Sequence, residues 1–337
     1  LTVKAAFKYH KELSTVILPK RLVDIDLEAF YQFSSDVALL KGITVEELGT
    51  EKDTSLNYYD INGILCKGNT VVYCPKGYVG EFRVPVGIAN IGAEAFKDCQ
   101  GLTFIYIPGY VKSIGEKAFY GCTNVQRLVF DQSKENVDLR IEASAFYGLQ
   151  LIEEVVLPPA LVYLGENAFG NTVLLEKVTM NMSREFVLKN EAFKKTSSSG
   201  NGESFVRSLT IGADVRDFNI TGVVGTGLVK IDVDLDNEYF LSEGNVLYDK
   251  NQTKILFIPE SVVEYTIPST IKEIGANMFA GKTFTSITIG KGVEVIGEGA
   301  FEGCEYLTSI IFEQGGTNKI TIGKNAFRGA KSVETLV

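Results

Sequence analysis

The sequence predicts an α/β repeat fold: a β-rich solenoid with short helical turns and two β-hairpin inserts. Three observations carry that prediction. An apolar triad at positions s, s+3 and s+5 recurs along the chain, as in Leu102/Ile105/Ile107 and then Val125/Leu128/Phe130, most often 23 residues apart. An Ala-Phe pair or its relic follows most triads, with Phe30, Phe96, Phe119, Phe169, Phe279 and Phe301 all at s+17. Proline punctuates the pattern, since Pro19, Pro85, Pro108, Pro158 and Pro268 each directly follow an s+5 residue. A unit of about two dozen residues cannot close a core alone, so successive units must stack.

Each element of the coil follows in order. Positions s+3 and s+5 are two apart, so a strand turns both inward and leaves s+4 outward. Outward positions hold Thr44, Arg83, Thr179, Thr210 and Thr288. Proline lacks the N–H a ladder needs and stops the strand. Next come Ile91-Gly92, Ile114-Gly115, Ile274-Gly275, Ile296-Gly297 and Ile322-Gly323, where glycine allows a tight bend. The Ala-Phe pair then sits on a single helical turn, stopped by Gly121, Gly148, Gly281, Gly303 or Gly329. The phenylalanines are expected to stack as an interior column.

The triads give a single solenoid domain, 1–337, of about 13 coils, in which spacings longer than 23 are mostly loop insertions. The coils starting at Leu40 and Leu228 lack the Ala-Phe turn. In its place stand apolar runs around Asn62-Gly63 and Gly244-Asn245, which read as β-hairpin inserts near 57–75 and 238–259. The chain thus reads as a larger module used twice, with sub-modules of roughly 1–227 and 228–337.

These motifs, the Ile-Gly-x-x-Ala-Phe coil and the Gly-x-Leu-Tyr hairpin, resemble the BspA-type leucine-rich repeats of bacterial surface proteins. The resemblance covers nearly the whole chain. It implies a leucine-rich-repeat right-handed solenoid, secretion or display at the cell surface, and binding of host or extracellular-matrix proteins in the manner of an adhesin. It carries no shared catalytic residue.

Composition excludes several alternatives. A net charge of −9 and a pI near 5.0 argue against a nucleic-acid surface or an anionic membrane patch. The sequence contains no apolar run of 18 residues, so no membrane-spanning helix is expected. It begins at Leu1 without a charged-then-apolar leader and reads as a processed or trimmed form. Five cysteines do not make a disulfide framework. Cys99, Cys122 and Cys304 each lie three residues after a repeat phenylalanine and read as a ladder of small, half-buried side chains; Cys66 and Cys74 occupy hairpin packing positions.

Catalytic chemistry finds little support. His10 is the only histidine and has no recognisable relay partner. Zinc-type Cys/His spacing and phosphate-binding glycine loops are absent, so no catalytic residue, metal or cofactor is assigned. Asp232, Asp234, Asp236 and Glu243 fall at positions 1, 3, 5 and 12 of a calcium loop. Position 6 is Asn237 where that turn wants glycine, and a solvated strand face plus loop is the better reading. The Ser197–Ser204 stretch reads as an inserted loop.

The strand face is where a ligand is expected. Residues s+2 and s+4 of adjacent coils are Glu81/Arg83, Phe104/Tyr106, Arg127/Val129, Glu154/Val156 and Lys177/Thr179. Paired in register, Phe104, Tyr106, Val129 and Val156 would form an apolar patch rimmed by Arg83, Arg127, Glu154 and Lys177. Aromatic centres with arginine nearby are the usual composition of protein-binding hot spots. The expected function is therefore a non-enzymatic protein-binding module; the alternatives are a structural spacer or stalk, or a glycan-binding module.

Overall fold

The computed structural model describes residues 2–3, 14–19, 22, 24–26, 30, 41–45, 58–189, 192–193, 206–216, 227–317, 319–333 and 335–336. The chain divides into two units, Leu1–Val206 with Asp217–Gly225, and Arg207–Arg216 with Thr226–Val337. Each is a β-solenoid with parallel sheets on its faces.

In the first unit one sheet pairs Gly80–Arg83, Leu102–Ile107 and Arg127–Phe130, and another pairs Glu154–Leu157 with Lys177–Met180. The inward positions alternate with the outward ones as a two-residue period requires. Phe82, Ile105, Leu128, Val155 and Val178 are buried, as are Val84, Ile107, Phe130, Leu157 and Met180. A second face runs without interruption through Thr70–Tyr73, Asn90–Ile91, Ser113–Ile114, Leu139–Ile141, Leu161–Leu164 and Val187–Leu188. In the second unit the corresponding ladders are Glu264–Thr266, Ser286–Ile289, Ser309–Phe312 and Thr335–Leu336, and Glu273–Ile274, Val295–Ile296 and Thr321–Ile322.

Between the sheets lies the phenylalanine column. In the first unit Phe96, Phe119, Phe146, Phe169 and Phe193 stack with ring centroids 4.7, 5.3, 5.2 and 5.3 Å apart. In the second, Phe279, Phe301 and Phe327 follow at 5.1 Å each. Stacking at these distances, with Phe279 tilted by 42° against Phe301, adds to the area each ring buries.

Among the described residues the Ala-Phe segments are not α-helical, which corrects one detail of the expectation. None of the described residues forms an α-helix. Within one coil Ala95, Lys97 and Cys99 donate back to Gly92, Glu94 and Phe96, while Glu94, Phe96 and Asp98 donate to Glu116, Ala118 and Tyr120 of the next coil. Alternate N–H groups thus leave the coil, and an α-helix would keep them. The switch uses a left-handed residue two places before and two places after the phenylalanine where both are described, such as Glu94 (φ 57) and Asp98 (φ 60), or Lys117 (φ 54) and Gly121 (φ 71).

The Ile-Gly glycines also work differently from the bend expected of them. A Cβ on Gly115 would stand 2.6 Å from the Ala93 nitrogen, and one on Gly297 2.6 Å from the Ala276 nitrogen. Neither has a positive φ. At these two positions glycine is needed because the backbone of the preceding coil lies against it, whereas Gly275 meets only the Met278 side chain, at 3.5 Å.

Both inserts are β-hairpins. Tyr58–Ile61 pairs antiparallel with Ile64–Lys67 and Phe240–Glu243 with Val246–Asp249. The connecting turns, Asn62-Gly63 (φ 51, 82) and Gly244-Asn245 (φ 56, 65), have positive φ at both central residues, the type I′ requirement. Each hairpin also catches the strand before it. Asp60 Oδ1 accepts the Val45 N–H at 2.7 Å and Ser242 Oγ accepts the Val233 N–H at 3.2 Å. Asn237 is fully buried beneath the second hairpin: its amide donates to Gly212 O and Val215 O, and its oxygen accepts from the Tyr239 and Phe240 N–H groups.

Candidate functional site

Of the residues expected to form a strand-face site, Arg83, Phe104, Tyr106, Arg127 and Val129 share the three-stranded sheet. Phe104 pairs with Glu81 and Arg127, and Tyr106 with Arg83 and Val129. Glu154, Val156 and Lys177 lie on the neighbouring sheet, where Glu154 pairs with Lys177. The eight therefore do not form one continuous ladder. Among the described residues no backbone hydrogen bond joins Arg127–Phe130 to Glu154–Leu157.

The coil between those strands is four residues longer than the common 23, and the surplus is the loop from Asp131 to Asp138. Gln132 bridges the opening by donating its amide to Phe130 O at 3.0 Å and Val156 O at 3.3 Å, while its oxygen accepts from Asn181 at 3.0 Å. Arg184 clamps the loop through an ion pair to Asp138 and a hydrogen bond to Asn136 O. The result is an open groove of about 1120 Å³ whose walls include Arg127, Val129, Gln132, Leu151, Glu154, Val156, Leu174 and Lys177. Arg127, Glu154 and Lys177 enter no ion pair among the described residues.

The arginines are not a rim around the aromatics but lie over them. The Arg83 guanidinium sits 4.6 Å from the Phe104 centroid and 5.8 Å from that of Tyr106, and Arg127 sits 5.5 Å from Phe104. Arg83 is also paired with Glu81 at 3.2 Å. Phe104 and Tyr106 are consequently half-buried, and Val156 is the more exposed apolar residue. The Tyr106 hydroxyl donates to Asp131 Oδ2 at 3.3 Å. Burial, and then the Asp131 carboxylate, push the Tyr106 phenol up; hydrogen bonds from Asn136 and the Ser133 N–H hold Asp131 down.

Reading s+2 and s+4 alone missed Gln132, Leu151 and Leu174. Leu151 and Leu174 stand one place before the triad, 40% and 45% exposed, where other coils have Gly101, Asn124 or Ser261. That contrast was visible in the sequence. Gln132 carried no such signal, because its role depends on where the inserted loop closes.

Outside this face the titratable groups are structural. All five cysteines are free and buried, more deeply than the half-buried ladder expected. Cys122 and Cys304 donate to Phe96 O and Phe279 O of the preceding coil. Burial pushes the Cys66 thiol up to about 12 and raises Cys74 and Cys122, the reverse of what activates a nucleophile. Burial likewise raises Tyr265, whose hydroxyl meets that of Tyr248 at 3.0 Å. In the folded state these groups hold protons that the unfolded chain releases near pH 9 to 10. Their stabilisation is complete below that range and is lost progressively as pH rises from it through the raised folded values, about 12 for Cys66. The urea midpoint is expected to fall continuously from about pH 9 to 12; an unchanged midpoint at pH 11 would contradict this burial.

The calcium-loop candidates are committed elsewhere. Asp232 pairs with Lys230 at 2.6 Å, Asp234 accepts the Asp236 N–H, and Asn237 is turned inward. Among the described residues no group of three His, Cys, Asp or Glu side chains is placed to hold a metal. No described helix is long and apolar enough to cross a membrane. His10 and the Ser197–Ser204 insert lie outside the described residues.

Comparison with known proteins places the fold. A family model, the BspA type leucine rich repeat region, matches in six copies over residues 72–199 and 254–337. Among curated proteins none matches. Solved structures of similar fold include the pneumococcal vaccine antigen PcpA, with 21% identity over 84% of this chain and 80% of that one and a TM-score of 0.51. A leucine-rich repeat protein from Bacteroides ovatus shows 17% identity over 85% and 79%, with a TM-score of 0.44. A leucine rich cell surface protein from Faecalibacterium prausnitzii shows 19% over 86% and 83%, with a TM-score of 0.40.

Proposed function

Because the chain belongs to the BspA-type leucine-rich repeat family, we propose that it acts as a non-enzymatic protein-binding module of a secreted or surface-displayed bacterial protein. Its partner is a protein outside the cell, such as a host or matrix protein, and the chain uses no cofactor. The observation that carries this reading is the juxtaposition of an arginine-capped aromatic strand with a wide groove. Phe104 and Tyr106, with Arg83 and Arg127 over the rings, stand beside Val129, Glu154, Val156 and Lys177.

The physical case rests on preorganisation. The outward side chains project from strands whose inward neighbours are close to fully buried, so the backbone that presents them is ordered before binding. Aromatic side chains dominate hot spots because they bury large areas at small entropic cost, and arginine because its planar fork stacks and hydrogen-bonds at once. The three charges without ion-pair partners are free to meet complementary charges on a ligand.

The test is capture of soluble chain on immobilised, purified extracellular-matrix and serum proteins. Tyr106→Ala combined with Val129→Ser is expected to lower affinity at least 100-fold while the melting temperature stays nearly unchanged. Equal capture by the double variant rejects the face, and capture by no protein of the panel favours a spacer.

A further inference from the structure

We infer that the free edge of the Gly80–Arg83 strand is a second binding site, one that takes up an extended segment of a partner protein by β-strand addition. The Gly80 and Val84 N–H groups donate to Gly101 O and Tyr106 O, so those of Glu81 and Arg83, pointing the other way along an alternating strand, face away from the sheet. Among the described residues no strand pairs with that edge. In its place is a cleft of about 220 Å³, floored by Ile64, Cys66, Val71 and Phe82 and overhung by the hairpin tip at Ile61-Asn62. A 150 Å³ apolar cavity already admits a benzene ring, so this cleft has room for an apolar side chain and the backbone that carries it.

Two details of this chain say what chemistry the edge accepts. The first is an internal precedent. The neighbouring Gly42–Val45 strand has its own open edge filled by the same hairpin, with Ile43 N–H donating to Gly63 O at 3.0 Å and Val45 N–H to Asp60 Oδ1 at 2.7 Å. The second is a stand-in donor. The Tyr78 hydroxyl reaches Glu81 O at 2.8 Å, where the N–H of an added strand would lie. A strand entering the cleft exchanges that hydroxyl for its own amide and gains the two edge N–H groups. The occupant is therefore an extended backbone with an apolar residue directed at Phe82, recognised mainly through its main chain. This site shares only Arg83 with the proposed aromatic face, and the two stand or fall separately.

The probe is a synthetic peptide with the sequence Leu-Thr-Phe-Ile-Tyr-Ile between lysine pairs, the strand that pairs with Gly80–Arg83 from its other side. Binding to the intact chain is read by fluorescence anisotropy. Glu81→Pro removes one edge N–H without touching the bonds to Leu102–Ile107, as proline is tolerated at a strand edge. It is expected to weaken binding at least tenfold. Tyr78→Phe removes the competing hydroxyl and is expected to tighten binding several-fold. On the wild-type chain, N-methylation of one alternate set of peptide amides should abolish binding and methylation of the other set should not, a dependence that side-chain contacts alone do not produce. The Tyr106→Ala/Val129→Ser chain should bind the peptide like wild type. No binding, equal binding by Glu81→Pro, or indifference to which amides are methylated would each overturn the site; should Glu81→Pro fail to fold, the methylated pair decides.

Discussion

Replacing Phe146 by alanine is expected to destabilise the first unit by about 3–5 kcal/mol. Phe146 is fully buried, stacked on Phe119 at 5.3 Å and Phe169 at 5.2 Å, with the edge of Phe130 5.9 Å away. Its removal takes away contacts on three sides. Neighbouring coils cannot close the void, because their spacing is set by backbone hydrogen bonds such as Phe119 N–H to Ala145 O at 2.7 Å and Phe146 N–H to Ala168 O at 2.8 Å. The residual cavity should therefore keep the loss near the upper end of the range. Urea unfolding of the variant measures it. A loss under 1 kcal/mol would mean that the column does not hold the coils together.

Alanine at Gly115 should cost about 2–3 kcal/mol, whereas the same change at Gly275 should cost little. At Gly115 the new methyl meets the Ala93 nitrogen at 2.6 Å and the Gly92 carbon at 2.8 Å, both backbone atoms of a stacked coil. Backbone gives way only by prising two coils apart, which is overpacking at its most expensive. At Gly275 the nearest atom is the Met278 methyl at 3.5 Å, an ordinary contact. Both glycines occupy the same place in the repeat, so composition and propensity cannot separate them. Parallel melting curves can. Equal losses at the two positions would point to a conformational requirement for glycine and away from the steric one.

Much of the architecture was legible because the repeat writes the same constraints many times. A two-residue alternation in the triads, proline after s+5 and phenylalanine at s+17 each imply a local geometry, and their coincidence at one spacing leaves stacking as the only way to bury them. The phenylalanine column and most of the inward triads are where that reasoning put them, Val79 being an exposed exception. The Asn62-Gly63 hairpin was readable for an equally local reason, since two adjacent positive-φ residues suit few turns.

The candidate site was legible only in part. Pairing of Phe104 and Tyr106 with their neighbours follows from register. The break after Arg127–Phe130 does not. A loop four residues longer can bulge outward and leave the ladder intact, or open it, and which occurs depends on Gln132 of one coil and on Asn181 and Arg184 of another. Likewise the repeat predicts that Arg83 points outward, but not that it folds back onto Phe104.

The amino-acid pattern alone determined that this chain is a stack of short coils with an aromatic spine, because periodic burial is a one-dimensional property and survives any ambiguity in the third dimension. Tertiary structure decided which N–H groups leave a coil, which of the Ile-Gly positions refuse a side chain, and where the strand ladders stop. Those depend on the approach of residues 20 to 50 positions apart, and hydrogen-bond direction and backbone contact at that range are set by packing rather than by any local preference.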